Sequence, residues 1–440
     1  MNEAIHQCLR MARPGTAAIL EGALQGHDLV EDEIVALLSS VGADFRALVL
    51  CADYLRRQTV GDDVTYVVNR NINFTNVCVK RCGFCAFSRT YRNREGYYLP
   101  LEEVVERARQ AFELGATEVC IQAGLPPEME GGLYLSLCRA VKEKVPQLHI
   151  HAFSPEEILY GSERSGLSIR AYLSELKDAG IGSLPGTSAE ILDQEVRDRI
   201  SPGRISVREW IQVICTAHDL GIPTTSTMMY GHVEGRSHRA RHLLLLRDLQ
   251  RQSGGFTEFV PLSFIHTEAP MYREGRIKGV QAGASGLDVV RLHAVSRLVL
   301  NRDIPNVQVS WVKEGLRLSQ LCLRAGANDM GGTLVNESIS TAAGAPHGQL
   351  VRPLELRRSI RQAGGIPVER STLYRKLRRY PTEKREPLSR LDRLTDEEVS
   401  RLGSYRELTQ TDRFRFSAGG RQHRAARPPV TGGRRRTADS

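Results

Sequence analysis

The chain has 440 residues, 41% of them hydrophobic and 25% charged, a balance that excludes a disordered or fibrous polymer and a size above what one compact core usually supports. Its formal charge of +9 points to a nucleic-acid partner only until the distribution is considered: residues 370–440 carry 19 Lys and Arg against 9 Asp and Glu, leaving the preceding 369 residues close to neutral. No run reaches the roughly 18–20 apolar residues of a membrane span, no basic-then-apolar leader opens the chain, and nine cysteines do not make a paired secreted framework; a cytoplasmic location with reduced thiols is expected.

Residues 1–63 read as a helical N-terminal extension, with apolar positions recurring every three and four residues in "DEIVALLSSVGADFRALVLCADYLRR". Strand-like runs then alternate with amphipathic helices. The runs "VTYVVN", "TEVCIQAG", "LHIHAF", "IGSLPG", "TTSTMMYG", "FTEFVPLSF", "NVQVSW" and "ANDMGG" supply up to eight strands. Between them, "LEEVVERARQAFELG" is introduced by Pro100 and closed by Gly115, and "SVREWIQVICTAHDLG" begins with a Ser206/Glu209 capping box and ends at Gly221. Repeated βα units over residues 64–345 imply an α/β fold with a parallel sheet, a complete or partial (β/α) TIM-like barrel whose chemistry lies at the C-terminal ends of the strands. Residues 346–440 form a C-terminal extension ending in a basic tail, expected to be flexible and accessory beyond about residue 370.

Just after the first strand, "NINFTNVCVKRCGFCAFS" places Cys78, Cys82 and Cys85 in a C-x3-C-x2-C spacing. A structural zinc site would want a fourth Cys or His, and no second pair lies nearby. Three thiols among Lys80, Arg81 and Gly83 also do not read as a core strand. A 4Fe-4S cluster held by three thiolates leaves one iron open to a ligand, whereas an electron carrier or sensor would cover it with a fourth cysteine. The other six cysteines, Cys8, Cys51, Cys120, Cys138, Cys215 and Cys322, lie in apolar runs and read as buried small hydrophobes.

The C-x3-C-x-aromatic-C motif resembles that of the radical S-adenosylmethionine (SAM) superfamily. The resemblance implies a (β/α) barrel, a 4Fe-4S cluster on Cys78, Cys82 and Cys85, and SAM as second cofactor. It also implies SAM contacts from Phe84 and Phe87 near adenine, and from the backbone of Gln122-Ala123-Gly124, where many members have Gly-Gly-Glu. Glu190 is a further candidate, for ribose or the methionyl end, and reads equally well as a first-turn helix acid.

Longer stretches, "NRNINFTNVC", "HIHAFSPEEI", "SLPGTSAEIL", "TMMYGHVE", "GGFTEFVPLSFI" and "GANDMGGTLVNE", are similar to the tyrosine-using subunits of FO synthase between about Thr65 and Glu337. That resemblance implies L-tyrosine and 5-amino-6-(D-ribitylamino)uracil as substrates. It further implies Cα–Cβ cleavage of tyrosine, transfer of a 4-hydroxybenzyl group to the uracil on the route to the deazaflavin FO, and a reducing electron donor. A second FO synthase subunit, a radical SAM cyclase, is implied because the chain holds a single triple-cysteine motif. The radical enzymes of the futalosine route to menaquinone are the alternative.

Candidate substrate contacts are Tyr230, His232 and Glu234, clustered after the fifth strand run, together with Glu258 and His151, which alternate within strands. Asn328, Asp329 and Glu337 are candidates for closing the barrel mouth. Each has a bland counterpart, a hydrogen bond to a neighbouring loop or a helix cap. RNA binding by the basic tail is disfavoured, since acidic residues interrupt it and stacking aromatics are sparse.

Overall fold

A computed structural model of the chain describes residues 3–382 and 386–417. Four helices open it: Glu3–Met11, Pro14–Gln25, Glu31–Leu37 and Gly42–Val60. Asp44, in the first turn of the last of these, accepts hydrogen bonds from the Arg13 backbone N–H (2.8 Å) and the Thr16 hydroxyl (3.1 Å), which ties the second helix to the fourth. These helices pack on the outside of the barrel, Gly42–Val60 against Gly286–Leu300 and Glu31–Leu37 against Arg236–Ser253. Two arginines of the barrel helices fasten the seam, Arg247 to the Leu29 carbonyl (3.0 Å) and Arg291 to the Ser40 carbonyl (3.1 Å).

The first expected strand is present as β1 (Asp63–Val67) and β2 (Asn69–Ile72), two halves of one run interrupted at Val68. Then follow β3 (Glu118–Ile121), β4 (His149–Ala152), β5 (Thr224–Tyr230), β6 (Phe256–Ser263) and β7 (Asp329–Gly332). The pairs β2·β3, β3·β4, β5·β6 and β1·β7 are all parallel. Between them the helix termini follow the sequence signals. Ser206 and Glu209 form the capping box of Val207–Asp219, while Gly115 and Gly221 take left-handed φ values of 94° and 70° past their helices.

Two expected strands, at "IGSLPG" and "NVQVSW", do not form ladders. They join the ring through single parallel bridges, His151 to Ser183 and Leu184 to Thr224, then Phe259 to Val307 and Gln308 to Asp329. Pro185 has no N–H to extend the first of these, and Gly186 lies so close to β5 that a Cβ there would stand 1.9 Å from the Thr225 carbonyl oxygen. A further bridge, Arg70 to Val335, links β2 to the segment after β7. The result is a TIM-like barrel in which ladders and single bridges alternate, with no ladder running unbroken round the ring.

The C-terminal extension is a structural part of this barrel through its described residues, which the sequence did not lead one to expect. β8 (Ile366–Arg370) pairs parallel with β1, Asp63 opposite Ile366 through Tyr66 opposite Glu369, and β9 (Lys376–Arg379) pairs antiparallel with β8. Further on, Leu402 accepts from the buried Arg70 (2.8 Å), and Phe414 accepts from the Tyr98 N–H (2.7 Å). The basic terminus, residues 418–440, lies outside the described residues.

Several histidines are buried in uncharged form, which sets how stability responds to acid. Burial pushes His242 down to about 3, its ring accepting from the Leu192 N–H (3.0 Å) and facing the Thr227 carbonyl (3.0 Å). Burial likewise holds His218 at about 4, between the hydroxyls of Ser253 and Thr224. Both values lie below the ordinary 6.5, so the unfolded chain binds protons that the native chain refuses. Their stabilisation is fully present above pH 6.5 and is lost as pH falls toward 4 and 3. Each contributes about 1.4 kcal/mol of lost stability per pH unit within that window. Urea midpoints are expected to fall progressively as pH drops below about 6.5 toward 4; a flat profile across that range would contradict neutral burial of these rings.

Candidate active site

Alternation along the strands decides what faces the barrel interior. Thr225, Thr227 and Met229 of β5, and Glu258, Val260 and Leu262 of β6, all line one cavity of about 400 Å³. Cys78, Cys82 and Cys85 stand on its wall, as do Phe84, Gln122, Ala123, Gly124, Glu190, His151, Glu258 and Glu337. The three cysteines with Phe84, then Glu190 and Glu258, are thus brought together from three separate stretches of chain.

The cysteine loop is clamped by backbone hydrogen bonds rather than by regular structure. Val79 N–H donates to the Leu125 carbonyl (2.8 Å), Gly83 N–H to Ile200 (2.8 Å), and Met271 N–H to the Gly83 carbonyl (2.7 Å). A Cβ on Gly83 would meet the Met271 side chain at 3.0 Å and the Ile200 carbonyl at 3.2 Å, so glycine lets these segments close round the loop. All three cysteines are unpaired thiols. Burial raises the Cys82 thiol to about 12, opposed by the Arg204 guanidinium, whose Nη1 stands 3.6 Å from Sγ. Burial also raises the Cys78 thiol. A positive partner or bound metal is needed to hold such thiols as thiolates. Among the described residues no three Cys, His, Asp or Glu side chains converge closely enough for a single metal ion. Three thiols that share a cavity wall could together hold a polynuclear group.

Beside the loop, Gln122-Ala123-Gly124 runs so close that a Cβ on Gly124 would stand 2.4 Å from the Val77 carbonyl oxygen. This segment has no carboxylate of its own, yet one is delivered to it. Glu157, the capping-box acid of helix Pro155–Ser165, accepts from the Ala123 N–H (3.0 Å) and from the Ser154 N–H and hydroxyl (2.7 Å each). Burial drives Glu157 up to about 7, with those donors opposing the rise. Opposite, Glu190 adopts a left-handed φ of 42° and pairs with Arg204 Nη1 at 2.5 Å. Arg204 also reaches Ser188 (2.8 Å) and Glu156 (3.3 Å) and lies over the Phe84 ring at 5.3 Å.

Deeper in the barrel, Glu258 accepts from the Tyr374 hydroxyl (2.5 Å) and lies 3.7 Å from Arg370 Nη2. Arg370 forks onto Asp329, Nε to Oδ2 at 2.5 Å and Nη2 to Oδ1 at 3.1 Å, with its guanidinium over the Tyr374 ring at 4.0 Å. Burial raises Glu258, the Arg370 charge opposing it. Next to it, His151 is held neutral by burial at about 4, one ring nitrogen on the Ser183 hydroxyl (2.7 Å), and Asn69 donates to Glu118 (2.9 Å). The cavity floor therefore presents an acid, a neutral imidazole and an arginine in a buried setting, where hydrogen bonds to a polar ligand are strong.

The structure sets the Tyr230, His232 and Glu234 group apart from the cavity. Met229 takes the inward position, so Tyr230 faces outward with Arg239 over its ring at 5.3 Å. Glu234 is spent on the turn, accepting from Gly231 N–H (2.6 Å), His232 N–H (2.9 Å) and Arg239. His232 faces the Met229 carbonyl (3.0 Å). Asn328 is a clamp between Arg297 (2.8 Å) and the Val307 N–H (2.9 Å), and Asp329 lies beneath the floor as the partner of Arg370. Glu337 does border the cavity, and its carboxylate caps helix Ile339–Ala342 through Ser340 N–H at 3.0 Å. Phe87 lines the cavity while packing against Tyr97 and Tyr405. Sequence reasoning missed Arg204, Arg370, Tyr374 and Glu157. Of these only Glu157 had a local signal, the S-x-x-E spacing that opens a helix.

Known proteins agree with this geometry. Residues 72–246 match the radical SAM superfamily, and residues 253–383 match the CofH/MqnC C-terminal region, which includes β8 and β9. The chain is 48% identical over 362 residues to 5-amino-6-(D-ribitylamino)uracil--L-tyrosine 4-hydroxyphenyl transferase of Methanothermobacter thermautotrophicus, covering 82% of this chain and 98% of that one. It is 48% identical to FO synthase of Streptomyces coelicolor over 81% of this chain, which is 41% of that longer protein. Among solved structures, the FeFe-hydrogenase maturase HydG from Carboxydothermus hydrogenoformans superposes with a TM-score of 0.65 at 16% identity, covering 85% of this chain and 83% of that one, a likeness of fold. A thiol-lined cavity at the mouth of a TIM-like barrel, with near-complete coverage of a half-identical relative, places the chain in the radical SAM superfamily, in the family of the 5-amino-6-(D-ribitylamino)uracil--L-tyrosine 4-hydroxyphenyl transferases.

Proposed function

We propose that this chain cleaves L-tyrosine and couples its 4-hydroxybenzyl group to 5-amino-6-(D-ribitylamino)uracil, a step toward the deazaflavin FO. The observation that carries the reading is the single cavity. Its upper wall holds Cys78, Cys82 and Cys85, its floor holds Glu118, His151, Glu258 and Arg370, and the chain spans nearly all of a 48% identical relative of that name.

In this reading the three cysteines would hold a 4Fe-4S cluster, and the residue 122–124 segment, Phe84 and Glu190 would hold SAM. Bound there, the two groups would supply the means of one-electron sulfonium cleavage and so a hydrogen-abstracting radical. The protein's own contribution is positioning. Arg204 offsets thiolate charge at Cys82 while holding Glu190 in place, and Gly124 lets backbone approach where a side chain would block it. The floor offers Glu258 as an acceptor or donor to a polar substrate, its protonation set by burial against the Arg370 charge. His151, neutral, serves as a hydrogen-bond partner without adding charge. Apolar positions such as Val260, Leu262 and Phe264 exclude water from the space between.

A reducing electron donor and a second radical SAM enzyme that closes the product ring belong to this reading, as does a cytoplasmic setting that keeps the thiols reduced. No single described helix is long and apolar enough to cross a membrane.

The test is anaerobic turnover of the reconstituted chain with SAM, reductant, L-tyrosine and 5-amino-6-(D-ribitylamino)uracil, followed by mass spectrometry. A coupled product is expected. Formation of 5'-deoxyadenosine without a coupled product would refute the substrate assignment.

A further inference from the structure

Four Lys or Arg side chains line the cavity, and three of them are already matched. Lys80 pairs with Glu156 (3.1 Å) and the Gly203 carbonyl (2.6 Å). Arg204 pairs with Glu190 and Glu156, and Arg370 with Asp329. Lys313 stands alone: among the described residues it has no side-chain hydrogen bond and no carboxylate within the 4.0 Å of an ion pair. Its nearest acidic influences are Glu337 and Glu314, which raise its proton affinity against the lowering effect of burial. Glu337 is engaged at the start of helix Ile339–Ala342 and does not pair with it.

A lysine ammonium half-buried on a cavity wall, with no ion-pair partner among the described residues, is placed to take an anion by a charge-assisted hydrogen bond. The surroundings specify what kind of anion. Gln308 and Ser310 precede Lys313 on the same segment and line the same cavity, and among the described residues their side-chain polar groups make no hydrogen bond. The neighbouring strand β6 presents Leu262 to that space, and Phe264 follows just past its end, an apolar surface for the aromatic part of a ligand. Lys313 also follows the seventh strand position, between β6 and β7. Arg204, Glu190 and the residue 122–124 segment lie round the other side of the ring, toward β3 to β5.

We infer that Lys313, with Gln308 and Ser310, forms the subsite for the α-carboxylate of the amino-acid substrate. This deepens the reading under Proposed function and rests on it. The shared chemistry is an α-amino-acid carboxylate, which L-tyrosine and the methionyl end of SAM both carry, and the position of Lys313 assigns it to tyrosine. Holding the carboxylate on this wall directs the Cα–Cβ bond of the ligand into the cavity and the phenol along the apolar strand.

The test is anaerobic calorimetry on the cluster-loaded enzyme with SAM, titrating L-tyrosine or tyramine, its analogue without the carboxylate, into wild type, Lys313→Met and Lys313→Arg. Wild type should bind L-tyrosine about tenfold or more tightly than tyramine, as expected for a charge-assisted hydrogen bond in a half-buried site. Lys313→Met should bring the two ligands to within about twofold of each other, leave SAM affinity unchanged, and Lys313→Arg should restore much of the preference. A Lys313→Met enzyme that keeps the full preference for L-tyrosine overturns the subsite while the reaction assignment stands. A tenfold loss of SAM affinity with tyrosine binding unaltered moves the carboxylate to SAM and overturns the tyrosine assignment. A wild type that binds neither tyrosine nor tyramine overturns the reaction reading and the subsite with it.

Discussion

Replacing Cys82 by Ser should abolish formation of 5'-deoxyadenosine and leave the fold intact. The side chain lines the cavity beside Cys78 and Cys85 with Arg204 Nη1 3.6 Å away, a charge that can pair elsewhere, with Glu190 and Glu156. A hydroxyl in place of the thiol fits the same space, so the stability change should stay within about 1 kcal/mol. A serine does not supply the soft thiolate that an iron-sulfur cluster requires, and two cysteines leave one corner without its ligand. Iron content and the visible absorption of the cluster should fall with activity, below detection for turnover. Cys322, fully buried in a helix away from the cavity, gives the opposite pattern. Cys322→Ser leaves a buried hydroxyl in an apolar site and should lose about 1–3 kcal/mol of stability while retaining iron. Loss of iron in Cys322→Ser with retention in Cys82→Ser would contradict the assignment of the cluster ligands.

The second large effect lies at the cavity floor. Asp329 is fully buried and holds Arg370 through two hydrogen bonds, with Thr65 and the Gly331 N–H (2.6 Å) completing its shell. Arg370→Met takes away the guanidinium and leaves that carboxylate uncompensated. The expected loss is about 3–5 kcal/mol, read as a lower urea midpoint at unchanged slope. Adding Asp329→Asn to Arg370→Met should recover part of the loss, because it removes the stranded charge. Activity should not return with stability, since Glu258 and Tyr374 have lost the cation that organises them. An Arg370→Met chain as stable as wild type would show that the floor pair is dispensable, and with it the structural role of β8.

That strand marks where sequence reasoning ran out. Residues 366–370 sit in a polar, Arg-rich stretch with no alternation long enough to announce a strand, and their partner β1 lies some three hundred residues earlier. Pairing of that kind is decided by register in space, which local composition does not carry. The triple cysteine, the Ser206/Glu209 box and the inward Glu258 were legible because spacing alone encodes them. Tyr230, His232 and Glu234 cluster in sequence without converging on the cavity in space. The pleat turns Met229 inward, and the turn that follows consumes Glu234 in its own N–H groups. Lys313 and Arg204 carried no local mark at all; what distinguishes them is which partners they have or lack once the ring is assembled.

The central claim is tested most directly with tyrosine labelled with 13C at Cβ and in the ring, given to the cluster-loaded enzyme with SAM, reductant and 5-amino-6-(D-ribitylamino)uracil. The account predicts a product in which the label is joined by a carbon–carbon bond to the uracil ring, absent in Cys82→Ser. Label recovered only in unmodified tyrosine, or in a fragment never joined to the uracil while 5'-deoxyadenosine accumulates, would contradict it.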